Sequence, residues 1–316
     1  MGESFSDYSK RLFQLYYEGK YSEALEVAEE AHKKFRNKVS KTSYWLACLY
    51  ALSGSKEKAI EVLRNSLDTG IFWSPKVLQS ESDFDHIRDR EEFKDIADRC
   101  SLIYYEMQKN AKPERLIFYP DNFNAKEKYP LLVALHWKGG NAQEFCEYWK
   151  SVLKRGFILL VPQSSQLYSS DEYCWDDFEK GKSEVIEHIA DVKETHNIIE
   201  DNIIIAGASQ GAALCLTNFV FSDTPFNFRK FIAVIPPIAN VKFYAFFIES
   251  GVNRGAKGVI IAGEKDRYFQ NTKALYKEME KVNLHCKFVS IPDVSHSFPD
   301  NFDTYLSEAI DYLEHE

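Results

Sequence analysis

The chain has 316 residues, enough for two domains at about 150 residues each, with 45% apolar and 28% charged residues. Those fractions exclude disordered, collagenous and low-complexity proteins. A net charge of −9 argues against a protein that wraps nucleic acid or coats anionic lipid.

The 6 cysteines lie far apart, without a CxxC pair or a Cys/His cluster, so neither a metal site nor a disulfide framework is expected. No run approaches the ~20 apolar residues of a membrane helix. The opening residues hold no apolar signal segment. A cytoplasmic protein without a membrane span is the expectation.

From Tyr8 to Met107 apolar residues recur at three- and four-residue steps, which predicts helices throughout. Glycines fall between them at Gly19, Gly54 and Gly70. The stretch Gly19-Lys20-Tyr21-Ser22-Glu23-Ala24 aligns with Gly54-Ser55-Lys56-Glu57-Lys58-Ala59, 35 residues later. A repeat near 34 residues is the tetratricopeptide spacing. Residues 1–112 therefore resemble a short tetratricopeptide (TPR)-like array, with a degenerate third unit at about Pro75 to Cys100. Such an array implies a docking surface for a protein partner. The residues are equally consistent with a helical appendage.

After Pro113 short apolar runs alternate with amphipathic segments. Strands are predicted at Leu131–Leu135, Phe157–Val161, Asn202–Ala206, Phe231–Ile235, Gly258–Ala262 and Cys286–Ile291, with an edge strand near Leu116–Pro120. Helices are predicted between them, including Ala142–Arg155 and Gly211–Phe221. Continuously apolar strands separated by helices indicate an α/β domain over residues 113–316, its mostly parallel sheet covered on both faces.

Gly207-Ala208-Ser209-Gln210-Gly211 stands between a predicted strand and an Ala-rich helix. A nucleophilic serine on so sharp a turn needs glycine on either side, because side chains there would collide. A serine nucleophile needs a base, and the base needs an orienting carboxylate. Asp266 in Gly263-Glu264-Lys265-Asp266 and His296 in Val294-Ser295-His296-Ser297-Phe298 both follow strand ends on the edge that carries Ser209. Glu264 and Asp293 are rival acids. The loop His136-Trp137-Lys138-Gly139-Gly140-Asn141 lies where an oxyanion loop would, giving the backbone N–H groups of Trp137 and Gln210 as donors.

Through these four stretches, residues 113–316 resemble an α/β-hydrolase, and within it the phospholipase/carboxylesterase group of serine esterases. The resemblance implies a Ser209-Asp266-His296 triad, an acyl-enzyme, a small ester (or thioester) substrate and no cofactor or metal. It also places Trp175, with His136, beside the substrate, although the residues alone equally suit a surface loop with one buried tryptophan, and a histidine at this loop more often braces the turn. The group usually has Gly where this chain has Trp137, which predicts a reshaped acyl side. Two rival readings share the fold: a prolyl-oligopeptidase-like peptidase and a catalytically inactive interaction scaffold. The run Phe243–Ile248 reads as a core helix or a lip over the site.

Overall fold

The computed structural model describes residues 3–315. It divides into two compact units, Met1–Ala111 with Leu167–Glu172, and Lys112–Gln166 with Tyr173–Glu316.

The first unit opens with α1 (Phe5–Tyr17) and α2 (Tyr21–Lys34), followed by α3 (Val39–Leu52) and α4 (Lys56–Asp68). Ser4 caps α1, its side chain accepting from the Asp7 N–H while Asp7 accepts from the Ser4 N–H; such a cap contributes about 1 kcal/mol. The turns after α1 and α3 are the same turn, 35 residues apart. Gly19 and Gly54 have φ of 72° and 79°. The N–H groups of Gly19 and Lys20 donate to Tyr16 and Leu15, and those of Gly54 and Ser55 to Ala51 and Tyr50. A Cβ at either glycine would meet nothing within 4 Å, so the positive φ, not crowding, selects glycine. Ala24, Ala28 and Ala31 are fully buried, and small residues at those steps let neighbouring helices approach closely.

Two helices complete the unit, α5 (Pro75–Ser80) and α6 (Glu91–Asn110). The segment Leu167–Glu172, assigned to the second domain from sequence, packs with these helices instead. Ser74 N–H donates to the Tyr168 carbonyl at 2.9 Å and Ser170 N–H to Phe72 at 3.1 Å. Lys41 Nζ lies 3.0 Å from the buried Glu172 carboxylate. A buried carboxylate needs such a partner, and hydropathy along the chain cannot show a partner 131 positions away.

Ligand-type atoms of Cys48, Glu81 and Asp83 lie within 4.8 Å of one another inside the unit, a grouping that spacing along the chain does not show. Tyr16 and Tyr44 hydroxyls donate to Asp83 and Glu81, each at 2.8 Å, and burial holds the Cys48 thiol well above its ordinary pKa. The 6 cysteines are free thiols. Among the described residues, no helix is long and apolar enough to cross a membrane.

In the second unit β1 (Glu114–Phe118) and β2 (Tyr129–Leu135) lead to a short α7 (Ala142–Phe145). Then come β3 (Ile158–Gln163), the two-residue β4 (Gln166–Leu167) and β5 (Tyr173–Cys174), and α8 (Phe178–Thr195). The chain continues through β6 (Ile198–Ala208), α9 (Gln210–Leu214), β7 (Lys230–Val234) and α10 (Val241–Asn253). It ends with β8 (Lys257–Gly263), α11 (Phe269–Lys281), β9 (His285–Ile291) and α12 (Phe302–Glu314). The described residues form a seven-stranded sheet in the order β1-β3-β2-β6-β7-β8-β9. Only β1 runs antiparallel, against β3.

Both sheet faces are apolar because helices cover both. Leu131, Val133 and Leu135 of β2 join a core with α8, α10 and α11. Leu132 and Ala134, pointing the other way, join a second core with Trp149, Val152 and α12. Burying each large strand side chain contributes roughly 1.5–3 kcal/mol.

Two predicted helices depart from α geometry. After α7 the chain continues as 3-10 turns over Cys146–Tyr148 and Lys150–Arg155. A three-residue period aligns Cys146, Trp149 and Val152 in one row, and all three are fully buried. Past α9, Cys215–Val220 forms a π turn whose six side chains are all buried. There the Thr217 hydroxyl donates back to the Ala213 carbonyl at 2.9 Å, competing with the α ladder. The Phe243–Ile248 run divides within α10: Tyr244 and Ile248 enter the core, while Phe243 and Phe246 are 52% and 81% exposed.

Candidate active site

Ser209 stands between β6 and α9 with φ 50° and ψ −118°, a conformation that costs a non-glycine residue about 1–3 kcal/mol. The surroundings hold it there. Its N–H donates to the Val234 carbonyl at 3.0 Å, and its carbonyl accepts from the Ala213 N–H at 3.0 Å. A Cβ on Gly207 would lie 2.5 Å from the Gly211 backbone, and one on Gly211 would lie 2.1 Å from the Leu135 carbonyl oxygen. The second contact presses the start of α9 against the end of β2, so the serine turn and the His136 loop share one wall.

Gly211→Ala is therefore expected to push these two segments apart. A displacement near 1 Å at reacting groups costs about 100-fold in rate. The rate of any reaction at Ser209 should fall by about that factor, with circular dichroism reporting the fold.

Asp266 and His296 come from the loops after β8 and β9, which main-chain hydrogen bonds join together. Glu264 N–H donates to Ile291 at 3.0 Å and Lys265 N–H to Val294 at 2.9 Å. They cross at Gly263, where a Cβ would lie 2.2 Å from the Val294 carbonyl oxygen. Phe298 anchors the far side of the histidine loop, its ring 4.3 Å from that of Tyr148 and 4.7 Å from that of Phe302. Gly263 and Phe298 received no role from the sequence, although both stand inside the motifs; a glycine closing an apolar strand was the available signal.

These loops bring the three predicted side chains together. Ser209 Oγ lies 2.8 Å from His296 Nε2, and His296 Nδ1 lies 2.7 Å from Asp266 Oδ2. The other Asp266 oxygen accepts from the Tyr268 N–H at 3.0 Å. A carboxylate only accepts, so the ring proton sits on Nδ1 and Nε2 faces the serine hydroxyl as acceptor. The Asp266 side chain is 3% exposed and that of His296 is 25%. The rival acids lie elsewhere: Asp293 pairs with Lys265 at 2.7 Å and is exposed, and Glu264 accepts from the Ser290 hydroxyl at 3.0 Å.

The His136 and Trp175 side chains, which the resemblance places beside the substrate, are turned into the protein interior. Both are fully buried. The His136 Nδ1–H donates to the Trp137 carbonyl at 2.9 Å, while Nε2 accepts from the Ser164 N–H at 3.4 Å. The Trp175 indole packs over Gly181 and donates to the His136 carbonyl at 2.8 Å. The alternative weighed from the residues, a bracing histidine and a core tryptophan, is the arrangement found. The Trp137 indole folds over Gly140 and meets Phe145, Tyr148 and Phe298 edge-on, between 5.1 and 5.9 Å. Its ring is thus engaged in packing beneath the histidine loop.

Burial pushes the His136 ring down to about 4 from 6.5. The unfolded ring binds a proton below about 6.5, and the folded ring only near 4. Stability from this group is thus complete above the unfolded value and is lost as pH falls toward 4, amounting to about 3 kcal/mol. Urea titrations between pH 7 and 4 should show this slope, and His136→Gln should flatten it.

Residues 5–108 match a family model described as the A/B hydrolase-like N-terminal domain. No curated protein matches the sequence. A solved structure of an uncharacterized protein from Bacillus cereus is similar over 99% of both chains, with 25% identity and a TM-score of 0.56. Est1E from Butyrivibrio proteoclasticus is similar over 64% of this chain and 93% of its own, at 13% identity and a TM-score of 0.51. Esterase PE8 is similar over 63% of this chain and 99% of its own, at 14% identity and a TM-score of 0.51. The chain thus has the α/β-hydrolase fold in its second unit, preceded by a helical region that matches the A/B hydrolase-like N-terminal domain.

Proposed function

We propose that the protein is a serine hydrolase that cleaves carboxylic esters through an acyl-enzyme. The observation that carries this reading is the unbroken line from Ser209 Oγ through both His296 nitrogens to Asp266, at 2.8 and 2.7 Å. Ser209 attacks the ester carbonyl carbon as His296 Nε2 takes the hydroxyl proton. Asp266 keeps the ring oriented and stabilises the imidazolium that forms. The imidazolium then protonates the departing alkoxide, leaving Ser209 acylated. Water, deprotonated by the same nitrogen, attacks the acyl carbon, and the imidazolium returns that proton to Ser209 Oγ as the Oγ–acyl bond breaks and the acid leaves.

The negative oxygen of each tetrahedral intermediate is received by the N–H groups of Trp137 and Gln210. Neither group donates to a backbone carbonyl among the described residues. Each such donor contributes about 3 kcal/mol of barrier lowering. Neighbours named as esterases on the same fold accord with an ester as the substrate class.

A panel of p-nitrophenyl esters from acetate to long acyl chains tests the reading. Turnover of at least one chain length is expected. Turnover of a prolyl anilide with none of the esters would replace it with a peptidase.

A further inference from the structure

Resting on the ester-hydrolase reading, we propose that Trp175 is a positioning residue that aims both oxyanion donors. In the trans peptide joining His136 to Trp137, the carbonyl and the N–H point in opposite directions from one rigid plane. Fixing the carbonyl therefore fixes the N–H. The carbonyl is held at 2.8 Å by the Trp175 indole N–H, from a ring that is fully buried and lies 4.7 Å from the His136 ring.

The same residue reaches the second donor through its backbone. Trp175 N–H donates to Gln210 Oε1 at 2.9 Å, and Gln210 Nε2 donates to Asp176 Oδ1 at 2.8 Å. The Gln210 side chain is thereby tied at both ends, which fixes the first residue of α9 and with it the direction of its N–H. Just upstream, Gly139 N–H donates to Tyr173 at 2.9 Å and Tyr173 N–H to Gly140 at 2.8 Å. Asp176 also takes Lys138 Nζ at 2.9 Å. The run Tyr173–Asp176 thus grips the oxyanion loop on one side and the start of α9 on the other, and Trp175 bonds both the His136–Trp137 peptide and the Gln210 side chain.

Such a residue acts on the transition state, where the oxygen becomes charged, more than on substrate binding. Trp175→Phe removes the indole N–H together with the pyrrole ring and leaves a phenyl ring in the same buried place. The expected result is a kcat about 10-fold lower or more with KM within about 2-fold, the signature of an interaction made only in the transition state. A trifluoromethyl ketone adds Ser209 to give an anionic hemiketal in the same hole. Its Ki should rise by the factor by which kcat/KM falls, which separates the lost hydrogen bond from the lost packing. Rates are taken per fluorophosphonate-titrated site, so a partly unfolded sample does not mimic the effect.

A kcat/KM within 2-fold of wild type would overturn the proposal. A fall in kcat/KM with an unchanged Ki would also overturn it, because that is what loosened packing alone produces. If Trp175→Phe does not fold, Gln210→Met tests the second anchor: kcat/KM and ketone affinity should fall together, and a fall in kcat/KM alone would overturn the inference. Wild-type protein that neither labels nor turns over an ester would overturn the hydrolase reading itself, a result distinct from an active enzyme indifferent to Trp175.

Discussion

Ser209→Ala is expected to lower ester kcat by on the order of 10⁶-fold, the loss seen when a unit of nucleophile and base is broken at its nucleophile. Alanine bears the same strain as serine at φ 50°, and the backbone hydrogen bonds to Val234 and Ala213 that hold the turn remain, so the neighbouring glycines and the histidine loop stay in place. The hydroxyl is the only group removed. Its hydrogen bond to His296 is worth about 1 kcal/mol, so the thermal midpoint should shift by a few degrees at most. A large loss of rate with a small loss of stability separates a nucleophile from a structural serine. Progress curves with p-nitrophenyl butyrate and a calorimetric scan measure both.

Asp266→Asn is expected to lower kcat by about 10⁴-fold while leaving the fold intact. Asparagine matches the carboxylate in shape but can present an N–H to His296 Nδ1. The ring proton then moves to Nε2, where it blocks acceptance from Ser209 Oγ. The same substitution at Asp293, and Glu264→Gln, should leave kcat within about 2-fold, because neither side chain reaches the imidazole and each already has another partner. This set of three variants discriminates among the acids that sequence order alone left open. Equal losses at all three would place the effect in the loop rather than in the hydrogen bond.

Much of the sheet unit was legible because its signals are local. A parallel strand covered on both faces is apolar at every position, as Leu131 to Leu135 are, and the turn at Ser209 demands glycine at fixed distances. The helical pairing around Gly19 and Gly54 was legible for the same reason: one residue at positive φ dictates one residue type. Other features depend on partners distant in sequence. Trp175 looked like a substrate contact because an aromatic residue in a loop carries no mark of burial; its partner, the His136 carbonyl, lies 39 positions earlier. The segment Leu167–Glu172 reads as an ordinary loop, and its partners Phe72, Ser74 and Lys41, all distant in sequence, reveal that it belongs with the helices. Period counting likewise cannot separate an α-helix from the 3-10 turns at Cys146–Arg155, where burial of a single row decided the geometry.

The site owes its precision to backbone contacts more than to side chains. Gly211 brings the serine turn against the end of β2, Gly263 lets the acid and base loops cross, and the peptide at His136 is clamped by an indole. Three loops are thereby held with little freedom, which is the condition for prearranged donors to stabilise charge without reorganising. Trp137 fits the same scheme, since the role proposed for it falls to its backbone while its indole fills space against Phe298.

The most direct test of this account is a fluorophosphonate probe followed by intact-mass and peptide analysis. The account predicts one adduct per chain, located on Ser209, absent in Ser209→Ala and strongly slowed in Asp266→Asn. An unlabelled wild-type protein, or an adduct on any other residue, would contradict it.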